Sequence, residues 1–242
     1  MEKVNFRSDI NLVGMLHSPN HKTYTAIIIS HGFAANKERQ RLVELAKEST
    51  RRGIAALRFD FGGSGDSNDR EISLRKQTAD LSAAISFLKN LGYRKIGLVG
   101  ESAGALTSIL SWDERIFAMV LWAPITTAKI PSLVKKKEIR HSIEKDGYIK
   151  FQKDGRVFIV PNHYLQERQS VNQIQILSRI KSPVLVIQGD NDETVSIEES
   201  RSAIKCLNSF SKLKVIEGAD HVMDDYMDLV IPLTIDWFQK WL

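Results

Sequence analysis

"LVGESAGALTS", residues 98–108, sets a serine between two glycines, Gly100-Glu101-Ser102-Ala103-Gly104. A Gly-x-Ser-x-Gly pattern is weak by itself, and a near miss stands at Gly62-Gly63-Ser64-Gly65-Asp66 without the final glycine. The flanks decide its meaning. "KIGLVG" before it is a short apolar run of strand type, and "ALTSIL" after it starts a helix. At such a turn the serine takes a strained corner. Side chains two residues to either side would collide with the neighbouring strand and helix, so glycine is needed there on steric grounds. The helix N-terminus behind the serine offers free N–H groups and a positive dipole to a developing anion.

Outward from this turn, apolar runs of strand length alternate with stretches of helical period. Strands are predicted at Tyr24–Ser30, Ile54–Phe61, Lys95–Val99, Phe117–Ala123, Val184–Gln188 and Leu213–Ile216, after a leading hairpin of Val4–Phe6 and Leu12–His17. Helices are predicted over Lys37–Arg52, from Leu74 to a stop at Gly92, over Ala103–Leu110, over Ile197–Leu207, and after Pro232, where Leu233, Trp237 and Trp241 share a face. This alternation predicts an α/β fold, a mostly parallel doubly wound sheet with helices on both faces. Ile125 to Gln175 breaks the rhythm. It is richer in charge, and "YIKFQKDGRVFIV" holds two alternating runs joined through Asp154-Gly155, a hairpin signal. His163 to Arg179 then turns helical. The expectation is one domain, 1–242, with a small lid at about 125–175. Tyr148, Phe151, Phe158 and Tyr164 are assigned to the core of that lid rather than to a pocket, since alternating strands bury one face.

The composition is that of an ordinary globular chain of 242 residues, 43% hydrophobic and 26% charged. The net charge of +5 comes without a basic stripe or recognition motif, which argues against nucleic acid as partner. Lys135-Lys136-Lys137 with Arg140 reads as a solvated face. A single cysteine, Cys206, excludes an intramolecular disulfide and a multi-cysteine zinc site, and its helical setting suggests buried packing. The N-terminus lacks the continuous apolar core of a signal peptide. No stretch approaches the roughly 18 apolar residues of a membrane span. A cytoplasmic protein without a membrane partner is expected.

A nucleophilic serine needs a base. Of His17, His21, His31, His141, His163 and His221, only His221 follows the last predicted strand and so opens at the carboxyl end of the sheet. The acid to orient it lies upstream in "PVLVIQGDNDETV", where Asp190 and Asp192 both qualify physically. The oxyanion needs two backbone N–H donors. One is that of Ala103, next to the serine; the other is that of Phe33, because "YTAIIIS" runs into His31-Gly32-Phe33 and the glycine lets the chain bend close. His31 itself is read as a structural loop histidine.

With GESAG at its turn, "HGF" at 31–33, "RFDFGGSGDS" at 58–67 and "IEGADH" at 216–221, the chain resembles the α/β-hydrolase superfamily. Within it the sequence is similar to small bacterial and archaeal esterases of the cinnamoyl/feruloyl type. The resemblance implies the α/β-hydrolase fold and a Ser-His-Asp triad. The family pattern G-x-x-D-x-x-V falls on Gly189, Asp192 and Val195 and selects Asp192; His221 matches the family histidine. Asp60 and its glycines match a structural loop, which sets Ser64 and Ser67 aside. Many relatives carry His before the serine and Gln after it, where this chain has Glu101 and Ala103. Glu101 thus brings a carboxylate that either favours a charged His221 or points into the protein.

The expected activity is that of a serine carboxylesterase acting on small to medium acyl or aryl esters, with catalytic Ser102, Asp192 and His221, oxyanion donors Phe33 and Ala103, and no metal or organic cofactor. The expected partner is a small-molecule ester, with a homodimer left open. The alternatives are an acyl-thioesterase, a serine aminopeptidase or oligopeptidase-like hydrolase, and a non-catalytic binding protein on the same fold.

Overall fold

The computed structural model describes residues 1–68, 71–128, 145–153 and 155–242. The predicted strands form β1 (Glu2–Arg7), β2 (Asn11–His17), β3 (Thr25–Ser30), β4 (Ala55–Phe59), β5 (Lys95–Glu101), β6 (Ile116–Trp122), β9 (Val184–Gly189) and β10 (Lys212–Ile216). They make one sheet in the order β1-β2-β4-β3-β5-β6-β9-β10. The leading hairpin pairs antiparallel, β2 pairs antiparallel with β4, and every later pairing is parallel.

Apolar residues stand on both faces of the central strands, so two cores form. Ala26, Ile28, Leu98, Met119, Leu121 and Val186 face one; Ile27, Ile29, Val99, Val120, Trp122 and Ile187 face the other. On the first face the sheet is covered by α2 (Leu74–Asn90) and α3 (Ala103–Leu110), on the second by α1 (Gln40–Arg51) and α7 (Met227–Trp241). This is the layered arrangement that a parallel sheet buried on both sides demands.

Several boundaries differ from expectation for identifiable reasons. Helix α1 starts at Gln40 instead of Lys37 because Lys37 turns inward. Its Nζ lies 2.7 Å from Asp60 Oδ2 and 2.9 Å from Asp66 Oδ2, and its N–H donates to Asp60 Oδ1. Helix α7 begins five residues before Pro232. Its buried positions Met227, Val230, Ile231, Thr234, Ile235 and Phe238 recur at helical spacing across the proline, so apolar burial outweighs the missing N–H. Helix α6 (Ile197–Ile204) ends before Cys206, which is only half-buried and outside the helix. The predicted helix over His163–Arg179 is two, α4 (Asn162–Gln169) and α5 (Gln173–Ser178), broken at Ser170-Val171-Asn172, where the Asn172 side chain caps α5.

The predicted hairpin is present as β7 (Tyr148–Lys153) against β8 (Arg156–Pro161), antiparallel. Ile149, Phe158, Val160 and Tyr164 join the core, but Tyr148 is exposed, on the outer face with Val157 and Ile159. Asp154, the Lys135–Lys137 run, Arg140 and His141 lie outside the described residues. Ser67 is a strut of the 58–67 loop: its Oγ donates to the Asp60 carbonyl at 2.7 Å and accepts the Val13 N–H at 2.9 Å.

His17, at the end of β2, is buried and its Nε2 accepts from Arg58 Nε at 3.1 Å. Burial, and then the adjacent guanidinium, push its pKa down to about 4. Between that value and the ordinary 6.5 the unfolded chain binds a proton that the folded chain refuses. The stability that neutral His17 supplies is therefore complete above pH 6.5 and is lost as pH falls toward 4. His17→Gln keeps an acceptor for Arg58 but cannot titrate. Its thermal midpoint should fall less than that of the parent between pH 7 and about 4.5; equal falls would remove His17 from the account.

Candidate active site

Four parallel strands end at one edge of the sheet, and each delivers one part of the site. β5 ends in Glu101, and Ser102 follows in left-handed backbone, φ 53° and ψ −112°, before α3 begins. A side chain rarely accepts this conformation. Here it is held by the Ser102 N–H on the Trp122 carbonyl at 2.8 Å and by the Ser102 carbonyl, which accepts from Ala105 and Ile125. The flanking glycines make room. A Cβ on Gly100 would stand 2.5 Å from the Ala105 Cα, and one on Gly104 would stand 2.5 Å from the His31 carbonyl oxygen. The predicted steric need for both glycines is thus met by α3 on one side and by the loop after β3 on the other.

His221, in the loop after β10, puts Nε2 3.0 Å from Ser102 Oγ and Nδ1 2.7 Å from Asp192 Oδ2. An ionised carboxylate only accepts, so Nδ1 carries the proton and Nε2 is left to accept from the serine hydroxyl. Asp192, in the turn after β9, has a fully buried side chain. Its Oδ1 accepts the N–H groups of Thr194 and Val195, both at 2.8 Å. Burial pushes the Asp192 carboxyl up, but the His221 bond and these N–H groups outweigh it and hold the carboxyl below its ordinary range. It stays ionised at neutral pH, and its contribution is lost only as pH falls through that lowered value. Asp190, the other predicted choice, accepts instead from the Gly218 N–H at 2.7 Å and braces the histidine loop.

The turn after β3 brings Gly32 against the serine: a Cβ placed on Gly32 would lie 3.5 Å from the Ser102 Cβ. Ala34 follows Phe33 at φ 50°, a second left-handed corner. Among the described residues neither the Phe33 nor the Ala103 N–H has an acceptor, and Ala103 as first residue of α3 has none within its helix. His31 is structural, as read from sequence. Its Nδ1–H donates to the Gly32 carbonyl at 2.9 Å, its Nε2 accepts the Phe61 N–H at 3.3 Å, and burial keeps it neutral by lowering its pKa. The Phe33 ring stacks between Phe151 of β7 and Tyr164 of α4, with centroids at 5.8 and 5.9 Å.

Two participants went unrecognised in the sequence. Gln188, buried at the end of β9, donates to Asp192 Oδ2 at 2.7 Å and accepts from Ser200 Oγ at 2.9 Å. Its signal was a single amide in an otherwise apolar strand. Arg41 of α1 pairs with Glu101 and, at 3.0 Å, with Asp224 just beyond His221. Burial draws the Arg41 guanidinium down, yet Glu101 and then Asp224 more than offset this and hold it above its ordinary value. Glu101 therefore turns into the protein, toward α1. Among the described residues no group of three or more His, Cys, Asp or Glu could hold a metal ion, and no helix is long and apolar enough to cross a membrane.

A family model described as serine aminopeptidase, S33, matches residues 21–145, just over half of the chain. The match takes in the turn after β3 and the Ser102 corner; Asp192 and His221 lie beyond it. A curated relative, the monoglyceride lipase homolog of Monkeypox virus, is 25% identical over 89% of this chain and 88% of its own. The mitochondrial palmitoyl-protein thioesterase ABHD10 of Rattus norvegicus is 24% identical over 87% of this chain and 73% of its own. Among solved structures, Est1E from Butyrivibrio proteoclasticus with ferulic acid bound superposes with a TM-score of 0.86, at 25% identity and 98% coverage of both chains. The fold is that of the α/β-hydrolases, with a likeness to feruloyl esterases.

Gly104→Ala tests the packing at the serine corner. Backbone on both sides cannot yield cheaply, so urea unfolding should show a loss of about 1–3 kcal/mol. A neutral change would mean that the close approach is relaxed in solution.

Proposed function

The chain belongs to the serine aminopeptidase S33 family of α/β-hydrolases, and from that membership we propose that it is a serine esterase working through an acyl-enzyme. The observation that carries the reading is the hydrogen-bonded row from Ser102 through His221 to Asp192, beside two unengaged N–H groups. His221 takes the proton of Ser102 as Oγ attacks the ester carbonyl, and Asp192 holds the imidazole tautomer and stabilises the imidazolium. The Phe33 and Ala103 N–H groups receive the oxyanion. His221 then hands its proton to the leaving alcohol, and water repeats the cycle on the acyl-enzyme. No step calls for a metal or an organic cofactor.

The segment between β6 and β9 acts in this proposal as a cap within a single domain. Glu167 of α4 supports that role by accepting from Ser73 Oγ and the Leu74 N–H at the start of α2, and Glu199 of α6 by accepting the Thr126 and Thr127 N–H groups. The half-buried rings of Phe33 and Phe151 would then wall an apolar acyl site, a role for Phe151 other than the lid core expected of it. A thioester substrate is the second reading, favoured by the likeness to a palmitoyl-protein thioesterase; the same triad serves it.

Ser102→Ala should lower kcat by about 10⁶ and Asp192→Asn by about 10⁴, as in other triads. A fluorophosphonate probe should label the parent protein and not Ser102→Ala. Near-normal turnover in Ser102→Ala would overturn the assignment. A panel of nitrophenyl esters of rising acyl length, one hydroxycinnamate ester, one acyl-thioester and one aminoacyl-anilide should give its highest kcat/KM with an oxygen ester. A clear preference for the thioester or the anilide would move the chain to those classes.

A further inference from the structure

Glu101 places a carboxylate one residue before Ser102, where a forming oxyanion would meet a like charge. Its side chain is only 9% exposed, and Arg41, at 10%, is the cation that meets it. Glu101 Oε1 also lies 3.6 Å from where a Cβ on Gly32 would stand, so the carboxylate sits beneath the turn that presents the Phe33 N–H. His31, whose Nδ1 bonds the Gly32 carbonyl of that turn, is held neutral by burial and cannot cancel the charge. Asp192 and Asp224 are themselves anionic, and Asp192 is already committed to His221. The remaining arm of Arg41 reaches Asp224, three residues past His221. One guanidinium thus touches the end of β5, the loop that carries the histidine and, through its own helix, the chain that follows the oxyanion turn.

We propose that Arg41 is a positioning residue that cancels the Glu101 charge beneath the oxyanion turn, so that negative charge can build beside Ser102 without repulsion. The proposal rests on the acyl-enzyme reading above. In a site shielded from water, an uncompensated carboxylate at this range opposes the transition state more than the ground state, because only the former carries the extra negative charge. The cost therefore appears in kcat and leaves KM nearly unchanged. The two halves of the pair are also unequal. Removing the cation exposes the carboxylate to the oxyanion, whereas removing the carboxylate leaves a guanidinium that the oxyanion tolerates. A pair that served stability alone would lack this asymmetry, since breaking it from either side strands a buried charge.

The test is a cycle of Arg41→Met, Glu101→Gln and the double variant. It is read by nitrophenyl butyrate kinetics and by the rate of fluorophosphonate labelling, with a thermal melt for each protein. Arg41→Met should lower kcat and labelling rate about ten- to a hundred-fold with KM within about three-fold. Glu101→Gln should cost only a few fold, and the double variant should recover most of what Arg41→Met lost. Equal losses from the two single variants, or a double variant as slow as Arg41→Met, would overturn the proposal. If Arg41→Met does not fold, the double variant, which leaves no lone charge between these two residues, decides alone. Activity within ten-fold of the parent supports the proposal and any greater loss overturns it. A parent protein that neither labels nor turns over esters would instead sink the esterase reading.

Discussion

The left-handed backbone at Ser102 is the constraint on which the rest of the structure depends. A residue with a Cβ is held there only because three neighbours press on it. The Trp122 carbonyl of β6 takes its N–H, while its own carbonyl receives the N–H groups of Ala105 and Ile125. Two glycines let α3 and the turn after β3 come within backbone contact of it. The corner therefore ties β3, β5, β6 and α3 into one rigid unit, which is what a hydroxyl aimed at a fixed point requires.

Strain is concentrated along the same edge. All four non-glycine residues with positive φ among the described residues, Ala34, Ser102, Ala123 and Met223, lie in the turns that leave the carboxyl ends of strands or in the loop after β10. The buried sheet below them supplies the restraint. Fixed polar contacts do the same for the side chains. Gln188 and two N–H groups hold Asp192, and Asp192 holds His221. On the far side of β3, Lys37, Asp60 and Asp66 form an ionic cluster, buried at Lys37 and Asp60 and exposed at Asp66, that pins the loop after β4. Its role is to hold that loop in place, and a buried ion pair such as Lys37–Asp60 is weak evidence of stability in its own right.

Much of this was legible in the residues. Continuous β-branched runs gave strands buried on both sides, since only a sheet covered by helices on both faces can use them. The Gly-x-Ser-x-Gly turn was readable because its steric demand is local: strand, corner and helix all lie between Lys95 and Leu110. His221 followed from its place beyond the last strand. The separation of Asp190 from Asp192 came from family resemblance; in the structure their carboxylates point to different partners, the Gly218 N–H and His221. Helix limits were less legible. Lys37 left its helix for a buried carboxylate, and α7 ran through Pro232, both for tertiary reasons that no propensity contains.

Sequence by itself determined the layered α/β architecture, the serine corner, the histidine loop and the turn after β3, because each is encoded by short-range periodicity or by a local steric requirement. Tertiary structure alone decided where Glu101 points, that Arg41 sixty residues away meets it, that Gln188 braces Asp192, and that Phe33 lies stacked on the β7–β8 hairpin. Apart from Gln188 and Asp192, which stand four residues apart across a turn, those contacts join residues far apart in the chain. Charge, hydrogen-bond capacity and ring shape suit each of them to many partners, and only the packed sheet chooses one.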